Sequence, residues 1–382
     1  MLLYLHLNLL GLNILTKVTQ ILYSGLGGHA SVTFSILRAD TYLNWESSLI
    51  FIGIERMAPA YKQQALELGI PFVSIQSRQK QPWRSWLMLY YALVRLSPEI
   101  VILHSISSLI PVALYSLIYG AKVISVEHTP FNLRSSLEKA ISALASVLSK
   151  RVVVLTDAYR EAYLSDAFFF QRASKLALIP NGVDVTRFSM DANRCSDFGG
   201  RIGMAARFTA NKRQDLLILT VVHLYQRFPK VPWKISLAGD GDTLEPLRRL
   251  ASINGLADKV EFVGNLTEDE LICWFRTLDL YAHASEGETL STSMLQAMSM
   301  GLPIVASKVQ GIEDLLNSDD GNLGIMVQRN TSEAFADEIA SLYFAKEKRA
   351  SLSELSRAVV KNKYSHVAMF QAYNFIVQES LN

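Results

Sequence analysis

Residues 281–313 read YAHASEGETLSTSMLQAMSMGLPIVASKVQGIE. The stretch parses as strand, loop, helix, tight turn, strand and loop. Tyr281, Ala282 and His283 close a buried strand that begins near Asp279, and Ser285 to Thr289 form a polar loop with two carboxylates, Glu286 and Glu288. Ser291, Thr292 and Ser293 are hydroxyls of the kind that cap a helix start. The helix runs through Met294, Leu295, Ala297 and Met298 to Gly301, which suits a C′ position. Pro303 cannot continue it, and Ile304 to Ala306 is the next strand. The helix N-terminus therefore faces a loop at the carboxyl end of a strand. In an open α/β sheet ligands sit there, and free N–H groups with the helix dipole favour an anion.

Working back from this stretch, the same alternation fills the second half of the chain. Arg201 to Arg207 is a strand, Phe208 to Asn211 a loop, and Lys212 to Asp215 opens a helix that continues to Leu224. Arg207 and Lys212 both fall at the strand's carboxyl end, where two cations and a helix start suit a diphosphate. Trp233 to Leu237 is a strand, and Ala238-Gly239-Asp240-Gly241-Asp242 a glycine turn before a helix from Thr243 to Ile253. Lys259 to Val263 is a strand ending at Gly264, and Glu268 to Arg276 is a helix. Beyond residue 313 come a strand at Gly324 to Val327 and helices at Glu333 to Tyr343 and Lys346 to Lys361. A last helix, Val367 to Leu381, carries an apolar stripe of Phe370, Tyr373, Phe375 and Ile376.

The first half alternates likewise. Lys17 to Tyr23 is a strand, Ser24 to His29 a glycine loop, and Ala30 to Leu37 a helix. Glycines let backbone N–H groups approach an anion, although Gly25, Gly27 and Gly28 do not have GxGxxG spacing. Strands follow at Ser48 to Ile52, Pro71 to Ile75, Glu99 to His104, Lys122 to Val126 and Arg151 to Thr156. Helices lie between them at Pro59 to Leu68, Trp83 to Leu96 and Pro111 to Tyr119. The pattern predicts doubly wound parallel sheets. His128 stands at a strand end, where a packed, hydrogen-bonded role is the ordinary one. Arg78 to Trp86 mixes cations with two tryptophans, suited either to a membrane interface or to packing within the domain. Pro180-Asn181-Gly182 is a turn, with Asn181 and Asp184 read as turn chemistry, and Asp191 to Gly200 is polar and Gly-ended, an interdomain linker.

The length of 382 residues exceeds one ordinary core and points to two domains. A net charge of +2 gives no field for nucleic acid. Only Cys195 and Cys273 occur, far apart, which fits a reducing compartment and argues against structural zinc. The opening MLLYLHLNLLGLNILT lacks a positive n-region and a small-residue cleavage site, so no signal peptide is expected, and residues 1–16 fall short of the ~20 apolar residues of a membrane span. They read either as a stretch upstream of the first strand or as a membrane-surface contact.

The stretch at residues 281–313 resembles the signature of family-4 retaining glycosyltransferases of the GT-B fold. That signature is a Glu, seven residues, a second Glu, then Ala-Met and a Gly-Leu-Pro turn. Ala297-Met298 and Gly301-Leu302-Pro303 place the first Glu at Glu288 and put Gln296 at the second. Glutamine keeps hydrogen bonding there and loses the charge. Residues 178–188, LIPNGVDVTRF, match the family's linker, and the Arg207–Lys212 segment and the Gly239–Gly241 turn match its second domain.

The resemblance implies two Rossmann-like domains facing each other across a cleft: residues 1–188 on the acceptor side, 189–365 binding the nucleotide sugar, and a helix at 366–382 packing back on the first domain. It implies transfer of a sugar from a UDP- or GDP-linked donor to a glycan or polyprenyl-linked glycan, with retention. No bound metal or cofactor is expected. His128, Glu288, Arg207 and Lys212 would be catalytic. Gly27, Gly28, Gly264, Leu290, Ser291, Thr292, Ser293 and Gln296 would complete the donor site, with Gln296 on the ribose and backbone near Gly264 on the base. A cytoplasmic enzyme of bacterial surface polysaccharide synthesis, such as O-antigen, capsule or exopolysaccharide, with peripheral contact on the inner membrane face, follows as an expectation. Three rivals remain. A GT-B epimerase would act on donor alone, a non-catalytic GT-B partner would show donor-site substitutions such as Gln296, and a Rossmann oxidoreductase lacks its glycine fingerprint.

Overall fold

The computed structural model describes residues 15–25, 27–78, 81–129, 134–165, 172–189 and 198–381. The described chain forms two compact units. The first holds the residues up to Leu155, Arg160–Ile179 and the chain from Met369 onward; the second holds Thr156–Tyr159 and Pro180–Ala368.

The first unit winds through β1 (Thr16–Tyr23), α1 (Gly28–Ala39), β2 (Trp45–Gly53), α2 (Pro59–Glu67), β3 (Phe72–Gln76), α3 (Pro82–Leu96), β4 (Ile100–Leu103), α4 (Leu109–Tyr119), β5 (Lys122–Val126), α5 (Ser136–Leu148) and β6 (Arg151–Val154). After α6 (Asp157–Leu164), β7 (Leu176–Leu178) closes the sheet. The strands are parallel in the order β3-β2-β1-β4-β5-β6-β7. Period-2 alternation sorts the helices onto the two faces. Leu22, Leu49 and Phe51 pack on Phe34 and Leu37 of α1 and on Tyr61 and Ala65 of α2. Their strand neighbours Ile21, Ile50 and Ile52 pack with Leu89 and Leu93 of α3, Val112 and Tyr115 of α4, and Ala145 of α5. So α3, α4 and α5 share one face.

The second unit repeats the scheme with β8 (Arg201–Ala205), α7 (Gln214–Arg227), β9 (Lys234–Ala238), α8 (Leu244–Ile253), β10 (Val260–Gly264), α9 (Glu268–Thr277), β11 (Leu280–His283), α10 (Thr292–Ser299), β12 (Ile304–Ser307) and α11 (Gln310–Leu316). A two-strand ladder, β13 (Asn317–Ser318) with β14 (Gly321–Asn322), precedes β15 (Ile325–Val327), α12 (Ser332–Phe344) and α13 (Lys346–Lys363), and α14 (His366–Leu381) follows, belonging from Met369 onward to the first unit. The second unit's parallel order is β10-β9-β8-β11-β12-β15. In both sheets the order in which strands are added reverses beside the first strand, between β1 and β4 and between β8 and β11. The doubly wound expectation therefore holds in each unit.

Several local expectations change. Gly28 and His29 belong to α1 rather than to the glycine loop, because Gly27 already serves as the N-cap. Lys212 lies in a short 3-10 turn, Ala210–Lys212, and α7 starts only at Gln214, after Arg213 takes a left-handed φ of 39°. Phe375 leaves the apolar stripe of α14. It is 69% exposed, whereas Phe370, Tyr373, Ile376 and Val377 are buried at the 3–4 residue spacing of one helix face. Helix α5 was not foreseen, although its capping box, Ser135 with Glu138, is visible in the sequence. Residues 1–14, Leu26, Gln79, Lys80 and most of the Asp191–Gly200 linker lie outside the described residues. Among the described residues, no helix is long and apolar enough to cross a membrane.

Candidate functional site

The reversal between β8 and β11 is where a doubly wound sheet leaves a crevice at its strands' carboxyl ends. Leu280 and Tyr281 of β11 pair with Ile202 and Gly203 of β8, so the loops that follow these strands emerge side by side. They are tied together directly. Asn211 O accepts from Glu286 N at 2.8 Å and from Ser285 Oγ at 3.2 Å. The first loop carries Arg207 and Lys212; the second carries Glu288.

Lys212 Nζ forms an ion pair with Glu288 Oε1, and His283 Nε2 donates to the same oxygen at 2.7 Å. Glu288 is nearly enclosed, and burial alone would raise its pKa. The Lys212 charge, followed by His283 and the hydrogen bonds from both, reverses that and holds it at about 2. His283 is itself pushed down by burial, so it stays neutral and keeps its proton on Nε2. Its Nδ1 then faces the Tyr281 hydroxyl at 3.3 Å. Tyr281 OH also lies 2.8 Å from Ser293 Oγ and accepts from Ala205 N at 3.2 Å. The strand β11 thus braces the carboxylate from below and the start of α10 from the side.

Ser291 caps α10, accepting from Met294 N, and its hydroxyl lies 3.2 Å from Ser293 Oγ. Leu290 is buried, and its carbonyl accepts from Asn181 Nδ2 at 3.2 Å. Asn181 therefore does more than form a turn: it ties the linker motif to the loop of Glu288. Asp184 keeps the local role expected, accepting from Thr186 N and Oγ1 and from Arg187 N. Gln296 is buried on α10. Arg207 is exposed at the end of β8, with its carbonyl held by Gln214 Nε2 at 3.1 Å.

Two glycine positions are dictated by close approach. A Cβ on Gly311 would sit 2.0 Å from Thr289 O and 2.3 Å from Glu288 O, so α11 can press on the Glu288 loop only through glycine. In the Gly239–Gly241 turn, φ values of 131° and 152° and backbone oxygens of Ala206 and Phe208 2.1 and 2.3 Å from an added Cβ impose the same condition. That turn abuts the Arg207 loop, and Gly239 N reaches Gly264 O at 2.7 Å.

In the first unit, the reversal between β1 and β4 carries Gly27 and Gly28 after one strand and His104 after the other. Gly27 N donates to Tyr61 OH at 2.8 Å. His104 is buried between Gln20 Oε1, 3.0 Å from its Nε2, and His128 Nε2, 3.0 Å from its Nδ1. With Gln20 accepting, the chain of bonds leaves the His128 Nδ1 as an acceptor. Burial, with nearby His29 and Arg134, pushes His128 down to about 3, and burial drives His104 well below the usual histidine range. His128 rides on a loop pinned by a buried ion pair of Glu127 and Arg134. Arg134 also donates to Thr129 O and to Ser142 Oγ. Replacing Arg134 with Leu strands the Glu127 carboxylate in the interior and should cost about 3–5 kcal/mol, read as a lower urea midpoint.

The expected residues thus fall at two strand-end reversals: Arg207, Lys212, Glu288, Leu290, Ser291, Thr292, Ser293 and Gln296 at one, Gly27, Gly28 and His128 at the other. Gly264 stands at the end of β10, beside the first group. Sequence reading missed His283, His104, Gln20 and the Glu127–Arg134 pair. The available signal was position, since His104 and His283, like His128, stand where a strand runs out.

Comparison with known proteins identifies the family and the fold. Residues 26–187 match the model described as Glycosyltransferase Family 4, and residues 199–344 match Glycosyl transferases group 1. D-inositol 3-phosphate glycosyltransferase of Corynebacterium jeikeium is 25% identical over 53% of this chain and 52% of its own length. The GDP-mannose-dependent alpha-(1-6)-phosphatidylinositol monomannoside mannosyltransferase of Mycobacterium tuberculosis is 25% identical over 54% and 56%. The chain spans about half the length of the curated relatives it matches. Among solved structures, Anabaena Alr3699/HepE in complex with UDP and glucose superposes with a TM-score of 0.79 at 18% identity, covering 95% of this chain and all of that one. TarM of S. aureus gives 0.77 at 13% identity, covering 96% and 100%. The fold is that of the GT-B enzymes, and the chain belongs to the family-4 glycosyltransferases.

Proposed function

We propose that this chain transfers a sugar from a UDP- or GDP-linked donor to a hydroxyl of a glycan or polyprenyl-linked glycan, with retention at the anomeric carbon. The setting proposed is bacterial surface polysaccharide synthesis at the cytoplasmic face of the membrane. The observation that carries this reading is the union of Lys212, Glu288 and His283 beside the capped start of α10. Breaking a glycosyl–phosphate bond builds negative charge on the diphosphate. Lys212, Arg207 and the N–H groups at the start of α10 are the groups to stabilise it. Glu288, kept ionised, accepts sugar hydroxyls and orients the ring. A contact of His128 with the sugar is part of the proposal and rests on the family resemblance. The reaction proposed is front-face displacement, in which the departing phosphate takes the acceptor's proton. Names of the relatives, which act on inositol phosphate and phosphatidylinositol mannoside, support an alcohol on a lipid or polyol as acceptor.

A thermal-shift screen of nucleotide sugars tests the donor. The correct one raises the unfolding temperature by mass action, and donor turnover with an acceptor then separates a transferase from an epimerase or a non-catalytic partner. An unchanged unfolding temperature across UDP and GDP sugars counts against the reading. Gln296→Glu restores the family's charge within the donor site. The expected result is donor affinity equal to or higher than that of the natural chain, measured by titration calorimetry. Abolished donor binding would remove Gln296 from the ribose.

A further inference from the structure

Helix α4, residues 109–119 (LIPVALYSLIY), lies on the protein surface and contains no charged residue. Ile110, Leu117 and Ile118 on its outer side are 54%, 83% and 56% exposed. Helix α3 beside it is similar. Trp83, Leu87 and Tyr91 recur at four-residue spacing on the outward face and are 58%, 49% and 63% exposed. The only charges on α3 are Arg84 and Arg95, one near each end, and the Arg84 guanidinium lies over the Trp83 ring at 5.2 Å. Both helices, with α5, cover one face of the first sheet, so their outward stripes point the same way. Exposed leucines scattered singly need no account, but a contiguous apolar face does.

We propose that the outer face of α3 and α4 docks on an anionic lipid bilayer. The charge pattern selects this occupant. Neither helix carries an acidic residue, and the arginines frame the apolar stripe as headgroup contacts would. A second copy of the same face would offer these arginines no acidic partner. Trp83 and Tyr91 are amphipathic rings of the type that seats at a membrane interface. The face extends the reading of a lipid-borne acceptor by naming where the bilayer sits.

The test is co-sedimentation of the full chain with phosphatidylglycerol/phosphatidylethanolamine vesicles and with phosphatidylcholine vesicles. Expected is binding to the anionic vesicles, at least about tenfold tighter than to phosphatidylcholine and weakened by salt. Leu117→Glu and Tyr91→Glu, both at exposed positions, should each cut binding by about tenfold. Arg84→Gln with Arg95→Gln should abolish the preference for anionic lipid. Wild-type protein that stays in the supernatant, or a Leu117→Glu variant that binds as well as wild type, overturns the proposal. So does a wild-type dimer that Leu117→Glu dissociates without vesicle binding, which assigns the face to self-association. Unfolding temperatures of the variants confirm folding, and nucleotide-sugar thermal shifts on the same samples report the donor site independently.

Discussion

Replacing Lys212 with methionine should lower glycosyl transfer by about 10²–10³-fold while the chain still folds. Methionine keeps the stem's bulk and removes the charge. Two consequences follow from the geometry. The proposed diphosphate site loses a half-buried cation, and Glu288 loses the partner that outweighs its desolvation, so its carboxyl pKa rises from about 2. A Glu288→Gln variant should be similarly inactive, because the amide keeps one acceptor but no charge. In the double variant the losses should be far from additive, since the two side chains act as one unit. Release of nucleoside diphosphate, followed under saturating donor and acceptor, measures all three. Turnover within a few-fold of wild type in Lys212→Met removes this lysine from the phosphate role. Arg207→Ala, at an exposed position, should cost activity with less effect on stability.

The second large effect is on acid stability. His104, His128 and His283 are all buried with pKa values below the ordinary 6.5, His128 at about 3. Between those limits the unfolded chain binds protons that the folded chain refuses. Stability is therefore full above pH 6.5 and falls as the pH falls, with a slope of about 1.4 kcal/mol per pH unit for each histidine while it stays neutral in the folded chain, which for His128 extends to about pH 3. Glu288 acts in the same direction lower down. Its folded pKa is depressed, so its contribution is full above the unfolded value of 4.5 and is lost as the pH drops toward about 2. The expected profile is a urea midpoint that is level from pH 8 to 7 and declines steeply below 6.5, before most carboxylates titrate. A midpoint that holds level down to pH 5 contradicts the buried, neutral state of these rings. His104→Gln should flatten the first unit's part of the slope.

Much of this was legible in the chain because the signals were local. Alternating strands and helices, Gly301-Leu302-Pro303 and the glycine turn at 239–241 are short-range features whose geometry is nearly forced by backbone sterics. The register that assigns Glu288 to the signature followed from Ala297-Met298 and Gly301-Leu302-Pro303. The left-handed Arg213 was not legible, because nothing in its side chain announces a positive φ, and so Lys212 was placed on the helix rather than in the turn before it. The histidine contacts were hidden for another reason. His104 meets Gln20 and His128 only through the order in which β1, β4 and β5 lie in the sheet, and strand order is a long-range property. Phe375 shows the converse, an apolar residue that proximity in sequence assigns to a stripe and helical phase removes.

Helix α14 bears on how the polypeptide is made. Trp45 of β2 donates from Nε1 to Asn374 Oδ1 at 2.9 Å and packs on Phe370 at 5.0 Å between ring centroids, while Arg151 of β6 pairs with Glu379. The first sheet to leave the ribosome thus lacks a layer of its core until the last helix emerges. During translation the leading half must wait, partly bare, while the trailing half completes itself. Stalling of synthesis before residue 369 should therefore yield a nascent chain whose leading half draws on chaperones, although almost all of its own sequence has already been delivered.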